Sequence, residues 1–282
     1  MPNSPLANPS ATRAVLERHG LALKKSLGQH FLIDDNTVGR IIALAGVEAS
    51  MPVLEVGPGI GTLTAALCAV SGAVTAVERD RDLLPALEEL AASCPSLRVV
   101  TADAVTVRPE ELDTPLGPPV ALVANLPYAV AATVVLRFFE ELTGLRSATV
   151  MVQSEVADRM AASPGCKAYG SYTVKLRLLA EPAGRFAVPR TCFIPPPRVD
   201  SAVLRLVRVT RPEPPEVLVA TARLADAAFA QRRKTLRNSL LSASGHAPAA
   251  IDAALEATGT DGRRRAETLT PDEFVSLASA LL

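Results

Sequence analysis

The chain has 282 residues, enough for one substantial hydrophobic core and a smaller second unit. Its 29 basic residues balance its 29 acidic ones, so there is no global attraction for a polyanion and any nucleic-acid surface must be a local patch. Cys68, Cys94, Cys166 and Cys192 stand singly, without CxxC spacing, and the three histidines are equally dispersed, so we expect small reduced thiols rather than a metal site or a disulfide framework.

The leading MPNSPLANPSATR has no basic stretch running into an apolar one, and no run reaches the roughly 18 apolar residues of a membrane span. A soluble cytoplasmic chain is expected. Ala11 to Arg18 predict a short helix closed by Gly20, and KKSLGQHFLID follows it without helical or strand periodicity. From Asp34 the apolar positions Val38, Ile41, Ile42 and Ala45 recur at helical spacing, with Asp34 in capping position and Gly46 as the stop. Short apolar runs then alternate with segments long enough for helices: VLEV (53–56), AVTAV (73–77), LRVV (97–100), VALVA (120–124) and ATVMV (148–152). That alternation predicts parallel βαβ units in a doubly wound α/β sheet. TVKLRLLA (173–180) and SAVLRLVRV (201–209) predict an antiparallel pair at one sheet edge. RPEPPE (211–216) cannot continue a strand or a helix interior, so we divide the chain into a sheet domain, 1–210, and a small helical domain, 211–282. In the latter we predict one helix from about Pro215 to Leu241, a second over Ile251–Ala257 and a third from Thr270, where Thr270, Pro271 and Glu273 make a capping box.

VLEVGPGIGTLT places Gly57, Gly59 and Gly61 between a predicted strand and a predicted helix, where glycine lets the backbone turn tightly and approach a ligand. Such a loop is weak evidence alone, because glycine also ends strands for structural reasons. Its context is stronger. Glu78 ends the next strand, where a carboxylate can accept both hydroxyls of a ribose, and Asp103 ends the third, where its carboxylate or the adjoining backbone can bind an adenine amine. Either acid alone reads equally well as a solvated strand end. A dinucleotide requires glycines beneath a pyrophosphate, typically GxGxxG, whereas Thr62 holds the last fingerprint place here. S-adenosylmethionine, which has no phosphate, suits the loop better.

NLPY, Asn125 to Tyr128, ends the fourth strand. An adenine exocyclic amine is a poor nucleophile because its lone pair is delocalised into the ring. The Asn125 side-chain oxygen and the Leu126 carbonyl can accept its two N–H bonds, Pro127 stiffens the loop, and Tyr128 can stack on a base flipped out of its helix. In isolation these four residues read as a turn with a buried tyrosine. Beside a cofactor site they read as a target-base site.

Together these segments resemble the ribosomal RNA adenine dimethyltransferase family, most closely its bacterial small-subunit (16S rRNA) branch, from about Lys24 to Leu240. KKSLGQHFLID, VGPGIGTLT, NLPY, MVQSEVADRM, PGCKAYGSY, CFIPPPRVDSAVLRL and AFAQRRKTLRNSL carry the likeness, in that order. The resemblance implies a Rossmann-like class I S-adenosylmethionine methyltransferase sheet with a helical C-terminal domain. It implies that His30 and Leu32 touch the cofactor and that Phe193 faces the flipped adenine. It further implies N6,N6-dimethylation of two adjacent adenines near the 3' end of 16S rRNA, within an immature small subunit, by a monomer. Arg232, Arg233, Lys234 and Arg237 would flank the apolar stripe of the long predicted helix and contact RNA phosphates; an anonymous helix with such charges would read as solvated. Three other readings remain: a large-subunit adenine methyltransferase of the macrolide-resistance type, a non-catalytic assembly factor, and a dinucleotide oxidoreductase.

Overall fold

The computed structural model describes residues 4–22 and 29–282, so Lys24 to Gly28 of KKSLGQHFLID lie outside the described residues. Helix α1 (Pro9–Arg18) is capped by the Asn8 side chain, which accepts from the Ala11 N–H. A short strand, β1 (Phe31–Leu32), leads to α2 (Asp35–Ala45), where the Asp34 carboxylate accepts from the N–H groups of Asn36 and Thr37 and Gly46 closes the helix in the left-handed region. Both ends match the expected signals. The five central runs form β2 (Pro52–Val56), β3 (Ala73–Glu78), β4 (Leu97–Thr101), β5 (Ala121–Asn125) and β6 (Ser147–Gln153). Between them lie α3 (Thr62–Val70), α4 (Leu84–Ser93) and α5 (Ala131–Glu141). Then come α6 (Ser154–Met160), α7 (Ser171–Arg177), β7 (Ala180–Val188), β8 (Phe193–Ile194) and β9 (Ser201–Arg208). The chain closes with α8 (Pro215–Phe229), α9 (Leu236–Ala243), α10 (Pro248–Ala257) and α11 (Pro271–Leu281).

The main sheet has seven strands in the order β4-β3-β2-β5-β6-β9-β7. The first five are parallel, and β9 runs antiparallel to β6. Every residue of β2 is buried, as expected for a central strand covered on both faces. Chain order reverses between β2 and β5, and an open α/β sheet binds ligands in the crevice that such a reversal opens at the carboxyl ends of its strands. Outside the sheet, β1 and β8 form an antiparallel ribbon that pairs Phe31 with Ile194 and Leu32 with Phe193. Val53, Leu67, Val123, Val203 and Phe193 belong to one apolar core.

Four expectations need correction. TVKLRLLA is not a strand: Ser171–Arg177 is helical, and the strand beside β9 is the next segment, Ala180–Val188. No single helix runs from Pro215 to Leu241, because the chain turns after Phe229 and restarts at Leu236. The amides of Leu236 and Arg237 donate to the carbonyls of Arg264 and Gly262 instead of to the preceding turn, and Thr235 caps the new start by accepting from the Asn238 N–H. Cys68 and Cys94 are joined in a disulfide, with α-carbons 6.4 Å apart, while Cys166 and Cys192 are free. The last concerns organisation: the compact units are Met1–Ala157 with Pro182–Arg208, and Asp158–Glu181 with Val209–Leu282, so the second takes in residues that a single boundary at 210 assigns to the first. Its core gathers Tyr169, Val174, Leu224, Leu236, Leu240, Phe274 and Leu277. The expected capping box of α11 is present.

Candidate active site

A cavity of about 540 Å³ opens at the carboxyl ends of β2, β3, β4 and β5, within the usual size range of small-molecule sites. Each strand end contributes. Gly57 and Gly59 leave β2 at φ +68° and +63°, a region that disfavours side chains, and a β-carbon on Gly57 would lie 3.2 Å from Pro127 Cδ. On Gly59 it would lie 3.1 Å from the Phe31 ring. Glycine is therefore required because this loop is pressed against NLPY on one side and QHFL on the other.

Glu78 is only 7% exposed. Its Oε1 accepts from the Asp80 N–H at 2.8 Å and its Oε2 from the Gly59 N–H at 3.3 Å, so the carboxylate is aimed along the cavity wall. Burial raises its pKa above the ordinary carboxylate value. Asp103 begins the turn after β4; its Oδ1 accepts from the Val105 N–H at 2.9 Å and its Oδ2 lies 3.3 Å from Arg79 Nη1.

Asn125 ends β5, and its Nδ2 donates to the His30 carbonyl at 3.4 Å. That contact orients the amide so that its oxygen is left without a donor among the described residues. Leu126 is buried, with its N–H bonded to the Met151 carbonyl, and Tyr128 Oη shares a 2.6 Å hydrogen bond with Ser201 Oγ. Burial raises the Tyr128 pKa, so its hydroxyl stays neutral. His30 Nδ1 lies 2.7 Å from the Pro195 carbonyl, and its ring stacks with that of Tyr128 at 6.0 Å between centroids.

The cavity thus gathers His30, Leu32, Gly57, Gly59, Glu78, Asp103 and Asn125 to Tyr128. Phe193 is not among its lining residues: it is 2% exposed and packs in the core opposite Leu32. Arg232, Arg233 and Lys234 are exposed on the turn between α8 and α9, while Arg237 is held by two hydrogen bonds to Asp252. Sequence reasoning missed Phe31, Gln153 and Glu55, all of which line the cavity. An acid inside the apolar run VLEV was the available signal for Glu55, whose Oε2 is buried without a hydrogen-bond partner among the described residues. Gln29 and Asp80 were also missed; they join at 2.7 Å beside Glu78.

A family model described as ribosomal RNA adenine dimethylase matches residues 20–281. The chain is 41% identical to ribosomal RNA small subunit methyltransferase A of Shouchella clausii, over 99% of this chain and 96% of that one. With the protein of the same name from Magnetococcus marinus it shares 44% identity over 95% of each chain. Among solved structures it is similar to the 23S rRNA methyltransferase ErmE, with a TM-score of 0.68 and 29% identity over 89% of this chain and 99% of that one. It shares its fold with a dimethyladenosine transferase from Plasmodium falciparum, with a TM-score of 0.72 and 23% identity over 88% of this chain and 96% of that one.

Proposed function

The chain belongs to the ribosomal RNA adenine dimethylase family, and from that premise we propose that it transfers methyl groups from S-adenosylmethionine to the exocyclic amines of two adjacent adenines near the 3' end of 16S rRNA. The small-subunit assignment is supported by relatives of that name at 41% and 44% identity, above the 29% shared with the 23S rRNA enzyme. One observation carries the chemistry: the glycine loop, Glu78 and NLPY line the same cavity.

The residues fit the cofactor. Glu78 offers the ribose an acceptor, the Asp103 turn faces the adenine end, and the buried Glu55 Oε2, with no hydrogen-bond partner among the described residues, leaves a polar position in the cavity wall for the cofactor's amino-acid end. S-adenosylmethionine, when bound, supplies a methyl group activated by a positively charged sulfur. The chain's own residues do the rest. Asn125 Oδ1 and the Leu126 carbonyl accept the two amine hydrogens of the target, aim its lone pair and draw the nitrogen toward a tetrahedral geometry. Tyr128, fixed by Ser201 and stacked with His30, presents a ring face to the base. Positioning and preorganised acceptors supply most of the acceleration, and no strong base is required because the nitrogen becomes acidic once it has attacked the methyl carbon and releases its proton to water. Cations on the Gln231–Lys234 turn contact RNA phosphates, and the RNA partner is an immature small subunit met by a monomeric enzyme.

The test is incubation with immature small subunits and methyl-labelled cofactor, followed by nucleotide mapping. Label on two adjacent 16S adenines is expected. Label on 23S rRNA would move the chain to the other branch, and absence of label would make it an assembly factor.

A further inference from the structure

The turn that carries Asp103 is shaped from within by the Asp103 side chain and by its carbonyl, which accepts from the N–H groups of Thr106 and Val107 at 3.0 and 2.9 Å. Those bonds do not satisfy the outward carbonyls of Ala104 and Val107. Both are met from another element. Arg137, on α5, donates from Nη1 to the Ala104 carbonyl at 2.9 Å and from Nη2 to the Val107 carbonyl. The other side of the same guanidinium is gripped by Glu141, with Nε to Oε1 at 2.9 Å and Nη2 to Oε2 at 2.8 Å. Arg137 is mostly buried, and α5 is the helix that follows NLPY. One rigid fork therefore joins the helix behind the target motif to the turn at the adenine end of the cofactor cavity. Lysine, a point charge with a single nitrogen, cannot span both carbonyls and a carboxylate in one plane.

We propose that Arg137 is a positioning residue for cofactor recognition: by fixing the Ala104 and Val107 carbonyls it holds the Asp103 turn where it reads the amine of the cofactor's adenine. This rests on the cofactor reading given above. Arg137 touches neither substrate nor the reacting atoms, so its effect falls on KM for the cofactor and on base discrimination, not on the transfer step at saturation.

Calorimetric titration of the full chain tests it, with S-adenosylhomocysteine and with S-inosylhomocysteine, in which a carbonyl replaces the adenine amine. The wild type is expected to bind the adenosyl compound about tenfold more tightly, the scale of one hydrogen bond to a charged acceptor. In Arg137→Ala the adenosyl affinity falls by about tenfold while the inosyl affinity changes little, so discrimination collapses. Arg137→Lys gives an intermediate ratio and carries the test if the alanine variant does not fold by circular dichroism. Retention of the full ratio in the variants, or equal loss of both affinities, overturns the proposal and leaves Arg137 a packing residue. A wild type that binds both compounds equally overturns it too, through Asp103. A wild type that binds neither removes the cofactor reading itself.

Discussion

Glu55 and Glu78 lie on neighbouring parallel strands, and both carboxyls face one cavity. Burial pushes Glu55 up to about 8 from its ordinary 4.5. The folded chain therefore keeps a proton there that the unfolded chain releases, and stability drains away as the pH rises from about 4.5 to about 8. Glu55→Gln should melt higher than the wild type at about pH 9, with the gap closing toward pH 5 in a thermal-unfolding series. A gap independent of pH would mean that Glu55 is not the group titrating. Asn125→Ala should lower methyl transfer by about 10² to 10³ while leaving the fold intact, because the lost acceptor matters most once the amine is attacking. Near-normal turnover would remove NLPY from the chemistry. For Phe193 the structure shifts the expectation from base stacking to packing: Phe193→Ala should cost about 3 to 5 kcal/mol of stability by denaturant titration. Selective loss of RNA turnover at unchanged stability would restore the stacking role.

At the scale of elements, the five parallel strands, both ends of α2 and the start of α11 could be read from the sequence, because buried parallel strands are near-continuous apolar runs and these helices carry their own caps, whereas α1 starts two residues before the expected Ala11, at Pro9 behind the Asn8 cap. Ser171–Arg177 misled because Val174, Leu176 and Leu178 alternate like a strand, and so short a segment lets packing override local pattern. The break after Phe229 was hidden because no proline or glycine marks it; Thr235, three residues before Asn238, was the one local sign of a new helix start. Site geometry was legible where motif and strand end coincide, at Gly57, Glu78, Asp103 and Asn125. It was illegible where it depends on distant pairing, as for Phe31 against Gly59 or Phe193 opposite Leu32. The break also changes which cations are suited to RNA. Arg233 and Lys234 are exposed on the turn, whereas Arg237 is committed to Asp252. Replacing Arg233 and Lys234 with Glu should weaken binding to immature subunits and flatten its salt dependence by roughly 0.7 to 0.9 in logarithmic slope per lost phosphate contact. Parallel salt curves at equal affinity would return the turn to an ordinary solvated surface.

For the molecule as a whole, the helical unit is assembled from two stretches that are far apart in the chain, Asp158–Glu181 and Val209–Leu282. Tyr169 and Val174 from the first are buried against a core completed by Phe274 and Leu277, close to the last residue. A chain cut after Thr210 should therefore leave those side chains wet, bind a hydrophobic dye and aggregate; a monomeric, dye-silent fragment would show that Asp158–Glu181 needs no cover. The same arrangement imposes an order of events during synthesis. At the roughly 5 to 20 residues per second of a translating ribosome, the early stretch must wait several seconds for its partners to emerge. The catalytic sheet can assemble while translation continues, whereas the helical unit closes only once Phe274 and Leu277 have emerged to cover Tyr169 and Val174.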